Sequence, residues 1–510
     1  MNPFIILSAN EMRAAEKLAI DGGIASAALM EKAGEGVAHH AMRFWSKRPT
    51  VVICGPGNNG GDGFVAARVM KSAGWPIRVA LLGKRESLTG NAKLMADLFD
   101  GDVVPFEKAV LNNCGLIIDA IFGTGLSRAT EGEIKSAIGA INDNPAPVLA
   151  IDLPSGLDAD TGAVLGEGSG AVVHARRSVT FHAKKPGHLL FPGRALSGAV
   201  DVVDIGISDQ ITAATGAQTY TNHPGLWGGL LPQPHWGGHK YSRGSVMVVS
   251  GGPLNTGAAR LAARGALRIG AGAVTMLTPA EAAPVHAAHL TAVMLRIANN
   301  DEDVAKAMAA SEHMPMALVI GPAAGVGEGT RAKVMAGLKS KAAVILDADA
   351  ITSFADQPQT LFSALRPTDV LTPHGGEFAR LFPEAAKLDG KLEAARRASK
   401  EANAVVVLKG ADTVIAAPDG RALINTNAPP TLATAGSGDV LAGFIAGLRA
   451  QGMDGFGAAA AGVWFHGAAG QTIGDGLIAE DLPDAVPAVM RILFQKDQPE
   501  KNQAAAPEAN

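Results

Sequence analysis

Cysteine is nearly absent: the 510 residues contain two, Cys54 and Cys114, and neither lies in a CxxC or metal-ligand pattern. Structural disulfides and cysteine-based zinc sites are therefore not expected, and a reducing compartment is. Positive charge is not in excess either. The formal net charge of −4 gives no global attraction for nucleic acid or an anionic membrane, so an anionic ligand must be held locally. No run of about 18 uncharged apolar residues occurs, and no membrane span is expected. The opening MNPFIILSANEMRAAEK lacks a basic n-region, a long apolar stretch and a cleavage site, so a secretory signal is not expected. Cytoplasmic is the expected location.

Apolar residues, by contrast, are plentiful at 47%. A chain of 510 residues exceeds one ordinary core, and two domains of roughly 200–280 residues are the natural expectation. Residues 11–46 have apolar positions at helical spacing. Then TVVIC, IRVALLG, GLIIDAIFG, APVLAIDLPSG and SVTFHA read as short strands, with GNAKLMADLFD and EGEIKSAIGAIN as helices between them. Such alternation predicts a mainly parallel α/β sheet covered on both faces. The texture changes in YTNHPGLWGGLLPQPHWGGHKYSRG, rich in Gly, Pro and aromatics, which marks the junction. Alternation restarts with SVMVVSGG, ARLAARGALRIG, AVTMLTP, MALVIGP, AAVILDADA and DVLTPH, followed by AVVVLKG and DTVIAAPDG as a hairpin-like pair. The predicted domains are residues 1–222 and 223–492, with a polar, disordered tail at 493–510.

Two glycine-rich segments carry the chemistry. Gly55-Pro-Gly-Asn-Asn-Gly-Gly-Asp-Gly63 follows the strand VVIC and precedes FVAARVMK. Its backbone amides can converge on an anion at a helix start, although it also reads as a tight turn with Asp62 as cap. Asp119 and Asp152 stand near the ends of later strands, where ligands gather in open parallel sheets. In the second half, Thr434-Ala-Gly-Ser-Gly-Asp439 leads directly into the helix VLAGFIAGLRAQG. Small residues there form an anion hole, and Asp439 at the helix mouth can act as a base toward a hydroxyl. The same residues also suit an ordinary start capped by Ser437 or Asp439. Lys409-Gly-Ala-Asp-Thr413 offers a lysine to a phosphate, His374 sits in the loop PHGGE, and LDADA ends another strand.

GNNGGDG, DAIFGTGL and DLPSGLDADTG together resemble the epimerase domain of the NAD(P)H-hydrate repair enzymes, over roughly residues 1–220. The resemblance implies a Rossmann-like three-layer fold and interconversion of the two C6 epimers of hydrated NADH or NADPH. It places Asn58, Asn59, Gly60, Gly61 and Asp62 at the substrate, with Gly123, Thr124, Gly125, Leu126, Ser127, Arg128 and Ala129 as a second substrate loop. Asp152 would be the catalytic carboxylate beside the reacting ring, and Asn59, Asp119 and Ser155 would hold a potassium ion.

HKYSRG, LDADA, TPHGGE, KGADT and ATAGSGDVLAG resemble the NAD(P)H-hydrate dehydratase branch of the ribokinase-like superfamily, over about residues 225–490. That resemblance implies a ribokinase-like α/β/α fold and ADP-dependent dehydration, with magnesium accompanying the nucleotide. Lys409, Gly410, Ala411, Asp412, Thr413 and Gly438 would contact the adenine nucleotide; Ala258, Gly325, His374 and Asp439 would contact the hydrate, with Asp439 as base. One departure stands out: Gly321-Pro-Ala-Ala-Gly325 has Ala323 where the family's pattern has glycine, which puts affinity at that loop in question. Partners are then the hydrated dinucleotides and ADP, with no nucleic acid or membrane, in a homo-oligomer of the kind common to such folds. Two other functions compete: a small-alcohol or vitamin-precursor kinase in the second half, and a non-catalytic nucleotide-binding module in the first.

Overall fold

The computed structural model describes residues 2–166, 168–233, 236–310 and 316–495. They form two compact units that divide between Thr221 and Asn222, and the short segment Asp389–Leu392 groups with the first.

In the first unit the helical stretch expected over 11–46 is two helices, Ala9–Asp21 and Ser26–Phe44. Gly22 and Gly23 separate them, and Gly23 has φ +99°, which a helix cannot continue through. Seven parallel strands follow in the spatial order Val103–Pro105, Ile77–Leu81, Thr50–Cys54, Leu116–Ala120, Val148–Ile151, Arg177–Phe181, Ala199–Val203. Alternate side chains feed two cores. Val52, Cys54, Ile118 and Ala120 pack against Phe64 and Val65, whereas Val51, Ile53 and Ile117 pack against Ile138 and Ile141 on the other side. The sheet is thus the middle of three layers. Strand order reverses between Thr50–Cys54 and Leu116–Ala120, so a crevice opens beyond their carboxyl ends.

The second unit repeats this logic. Its strands run in the order Ala422–Ile424, Val414–Ala416, Val405–Leu408, Val370–Leu371, Ala343–Leu346, Met316–Ile320, Ser245–Val249, Ala273–Thr278, Met294–Ile297. They are parallel except where Val405–Leu408, Val414–Ala416 and Ala422–Ile424 pair antiparallel. Here the reversal falls between Ser245–Val249 and Met316–Ile320, above which the loops starting at Ser250 and Gly321 emerge. Asn222, from the segment read as junction, is buried: its amide donates to Asn425 Oδ1 (3.0 Å) and the Ala460 carbonyl (2.8 Å), and it accepts from Trp227 Nε1 (3.0 Å).

Residues 493–495, expected as part of the tail, are helical. The last helix, Leu482–Gln495, carries residues 493–495, because apolar residues recur at 486, 489, 490, 493 and 494 and keep one face on the protein. Lys496 to Asn510 lie outside the described residues. Among the described residues no helix is long and apolar enough to cross a membrane.

Candidate active sites

The first crevice is built on close backbone approach. The helix after strand Thr50–Cys54 starts at Asn58, earlier than the glycines suggest, with Gly57 as N-cap and no side-chain cap, so Asp62 is not a cap. A Cβ at Gly60 would come within 2.0 Å of the Gly55 carbonyl oxygen, and one at Gly63 within 2.5 Å of Ala120 Cβ. Glycine here serves helix-to-strand packing and leaves the amides of Asn58, Asn59 and Gly60 free at the helix start. Gly123 lies at the meeting point of the predicted residues: a Cβ there would be 2.6 Å from Asp152 Oδ2 and 3.1 Å from Asn59 Oδ1. The Thr124 amide donates to Asp152 Oδ2 at 3.0 Å. Gly125, Ser127 and Arg128 are exposed, and Leu126 and Ala129 are half-buried.

Asp152 is held in the left-handed region at φ +63°, a strained backbone for a non-glycine residue. Its Oδ1 accepts from Lys185 Nζ (2.9 Å) and Thr180 Oγ1 (2.8 Å), and Lys185 Nζ also donates to Thr180 Oγ1 (2.8 Å). Burial acts to raise its pKa, but the Lys185 ammonium and the hydrogen bonds from Lys185 and Thr180 outweigh burial and hold it below the usual value. His188 donates from Nε2 to the Asp152 carbonyl (2.8 Å) while its Nδ1 accepts from the Lys185 amide (2.9 Å), which fixes a neutral ring. Burial, then Lys185, push its pKa down to about 4. Asp62 goes the opposite way. Burial, then the charges of Asp152 and Glu16, push it well above the carboxylate range. Sequence reasoning missed Lys185, Thr180 and His188. Their signal was weak, since a lysine in HAKKPG is ordinarily solvated.

Beneath this lies an oxygen-rich cluster. Ser155 donates to Asp119 through Oγ (2.7 Å) and its amide (2.8 Å), and Ser155 Oγ is 3.2 Å from the Phe122 carbonyl. Burial raises Asp119 to about 6 despite those hydrogen bonds. Asn59 has a buried Nδ2 with no partner.

In the second unit the helix Ser437–Ala450 begins from Gly436, whose φ of +87° no side-chain cap accompanies. Neither Ser437 nor Asp439 is the cap, because Ser437 Oγ donates to the Leu432 carbonyl (2.9 Å) instead. Lys409 Nζ lies 2.7 Å from Asp347 Oδ1, and a Cβ at Gly438 would be 3.3 Å from that Nζ. Asp412 and Thr413 are buried, with Thr413 Oγ1 donating to the Gly410 carbonyl (3.0 Å), whereas Gly410 and Ala411 are exposed. Two of the residues predicted to meet the hydrate are anchored by carboxylates: the Gly325 amide donates to Asp349 Oδ2 (2.9 Å), and the His374 amide to Glu377 Oε2 (2.9 Å). His374 itself caps a helix, its Nδ1 accepting from the Gly376 amide at 2.9 Å. Ala258 sits on the helix Thr256–Arg268, which packs against Ser437–Ala450 so tightly that a Cβ at Gly443 would meet the Ala262 carbonyl at 2.1 Å. Asp439 feels the charged groups among these. Burial, then Asp347, raise its pKa to about 7, with Lys409 opposing and Asp349 and Glu377 adding to the rise. A carboxyl poised there can take a proton near neutral pH.

The family model described as NAD(P)H-hydrate dehydratase matches residues 246–486, and that of the YjeF-related protein N-terminus matches 26–187. A bifunctional NAD(P)H-hydrate repair enzyme of Moorella thermoacetica is 37% identical over 96% of this chain and 97% of its own. This chain belongs to the bifunctional NAD(P)H-hydrate repair enzyme family. The relative from Salinibacter ruber is 34% identical over 95% and 96%. Among solved structures, the ADP/ATP-dependent NAD(P)H-hydrate dehydratase of Bacillus subtilis, co-crystallised with ATP and Mg2+, is 29% identical at a TM-score of 0.44, covering 51% of this chain and 94% of that one. Family membership pairs an epimerase-type first half with a dehydratase-type second half.

Proposed function

We propose that the first unit interconverts the two C6 epimers of hydrated NADH or NADPH and that the second dehydrates one epimer at the expense of ADP. The observation that carries this is Asp439, with a pKa near 7 at the mouth of an uncapped helix beside the Lys409–Asp347 pair. Asp439 takes the proton of the ring hydroxyl as that oxygen bonds to the β-phosphorus of ADP. The bond from that phosphorus to the bridging oxygen breaks, and AMP leaves. Phosphate, a far better leaving group than hydroxide, then departs with a ring proton and the dihydronicotinamide is restored. Lys409 and the helix-start amides of Gly438 and Asp439 supply the charge stabilisation that phosphoryl transfer requires. Mg2+ bound with ADP would neutralise phosphate charge.

In the first unit, opposite environments divide the labour. Asp62, whose burial favours the protonated form, suits protonation of the departing hydroxide; Asp152, whose carboxylate form Lys185 favours, suits the cationic ring that remains, and recovers water's proton on re-addition. The neighbouring oxygens of Asp119, Ser155 and the Phe122 carbonyl fit a potassium ion, with Asn59 as the further expected ligand, and a buried Asp119 with no ion pair among the described residues favours one. Such an ion supplies fixed positive charge that holds the strand-end loops. Thermal stabilisation by K+ over Li+, lost in Asp119→Asn, tests that role. We further place the enzyme in the cytoplasm as a homo-oligomer.

Purified hydrated NADH epimers supplied with ADP or ATP, followed by absorbance of the reduced nicotinamide, test the whole scheme. A stable phosphorylated product without absorbance recovery would convert the second unit into a kinase. Epimerisation by Asp152→Asn at the wild-type rate would remove that carboxylate from the mechanism.

A further inference from the structure

A second cavity, of about 370 Å³, opens beside the dehydratase centre. One wall is the helix Thr256–Arg268, which presents Gly257, Arg260, Leu261 and Arg264 at helical spacing. Leu290 and Val293, beyond the helix that ends at His289, make the apolar side, and Glu480 closes the rim. Two features tie it to the reacting site. Gly257 precedes Ala258, the predicted hydrate contact. Leu261 Cδ1 and Ala479 Cβ both close on Gly436, where an added Cβ would find them at 2.6 and 3.1 Å. Gly436 starts the helix that carries Asp439.

The cavity's charges are incompletely matched. Arg264 and Arg268 share Asp484. Arg260 is half-buried and forms no ion pair or hydrogen bond among the described residues, and its Nε is buried without a partner. Burial of a guanidinium nitrogen without an acceptor is costly, and an anion would satisfy it. His289 adds a second donor, against the single carboxylate of Glu480. An anion with an apolar body matches such a lining.

We propose that this cavity receives the adenylate end of the hydrated dinucleotide, with Arg260 binding one of its phosphates. The inference rests on the dehydratase reading of Asp439. A dinucleotide whose ring lies at Asp439 and Ala258 must run its diphosphate away along one wall of the crevice, and the Gly257–Arg264 face is continuous with that point. The phosphate is either the adenosine-side group of the diphosphate or the 2′-phosphate of the NADPH form.

Kinetics of the full chain separate these sources. Arg260→Gln should raise KM for the hydrate about 10-fold or more, the loss expected for a charge-assisted hydrogen bond, while KM for ADP stays within about 2-fold. Equal losses with the NADH and NADPH hydrates identify the diphosphate; a loss confined to the NADPH hydrate identifies the 2′-phosphate. Hydrated reduced nicotinamide mononucleotide, which lacks the adenylate, should be dehydrated equally well by both proteins, and Arg260→Lys should recover part of the affinity. The proposal is overturned if the mononucleotide suffers the same loss as the dinucleotides, or if no hydrate is affected. Should Arg260→Gln fail to fold, His289→Gln at its exposed position is expected to weaken the dinucleotides alone, and an unchanged KM there overturns it equally.

Discussion

Lys185 Nζ meets Asp152 Oδ1 at 2.9 Å, with 1% of the lysine side chain and 9% of the aspartate side chain exposed. Breaking such a buried pair from one side strands a charge, at about 3–5 kcal/mol. Lys185→Met should therefore destabilise the first unit by that order in denaturant unfolding. The wild-type carboxyl has a depressed pKa, so its contribution holds above the ordinary value of about 3.9 and is lost as pH falls below it. Without Lys185, burial raises that pKa. Epimerisation should then fail at neutral pH and recover toward alkaline pH, and an unshifted pH–rate profile would remove Lys185 from the site's electrostatics.

Asp439 has the opposite sign. Its pKa, raised to about 7, means that folding favours the protonated form; stability is full below about pH 4 and is lost as pH rises toward 7. Asp439→Asn should consequently stabilise the second unit by about 1–2 kcal/mol at pH 8, after allowance for partial solvent screening. The same substitution should lower dehydration by about 100-fold or more. A melting temperature that falls at pH 8 would contradict the burial argument.

The strands were legible because they are short apolar runs covered on both faces, as in VVIC and MALVIGP. The Gly55–Gly63 loop at the first reversal of strand order was legible too, since few sequences place so many small residues between a strand and a helix. The helical start at Asn58 was not, because glycine's poor helix propensity is overridden by the need to approach Gly55 and Ala120 closely. Nor was Gly455–Ile473 singled out: GFGAAAAGVWFHGAAGQTI is apolar or small all round, and a helix packed on most sides carries no periodic signal. Lys185 escaped because 33 residues separate it from Asp152, and only the parallel neighbours Val148–Ile151 and Arg177–Phe181 bring them together.

Ala323 stands where the family's pattern has glycine. It adopts φ +52°, the region glycine tolerates and other residues resist. Its carbonyl also abuts Gly251, where a Cβ would come within 1.9 Å. Ala323→Gly should relieve the backbone strain and yield about 0.5 kcal/mol net, since glycine's greater unfolded-state entropy opposes the gain. Ala323→Val should cost about 1–2 kcal/mol, because a β-branched residue fits this region worse. Equal stability of the three proteins in urea would show that the loop relaxes around any side chain.

His466 ties the dehydratase helix to its neighbour. Its Nε2 donates to the Ser437 carbonyl at 2.9 Å, and burial pushes its pKa down to about 4. The unfolded chain, with an ordinary value near 6.5, binds a proton before the native state does. Stability contributed by neutral His466 is thus complete above about pH 6.5 and declines as pH falls toward 4, by up to about 1.4 kcal/mol per pH unit. His466→Gln can keep a donor near Ser437 yet cannot titrate, so its unfolding free energy should fall less steeply over that interval. Equal slopes for the two proteins in urea titrations at pH 6.5, 5.5 and 4.5 would mean that His466 is protonated in the native state, and the hydrogen bond to Ser437 would then have to be charged.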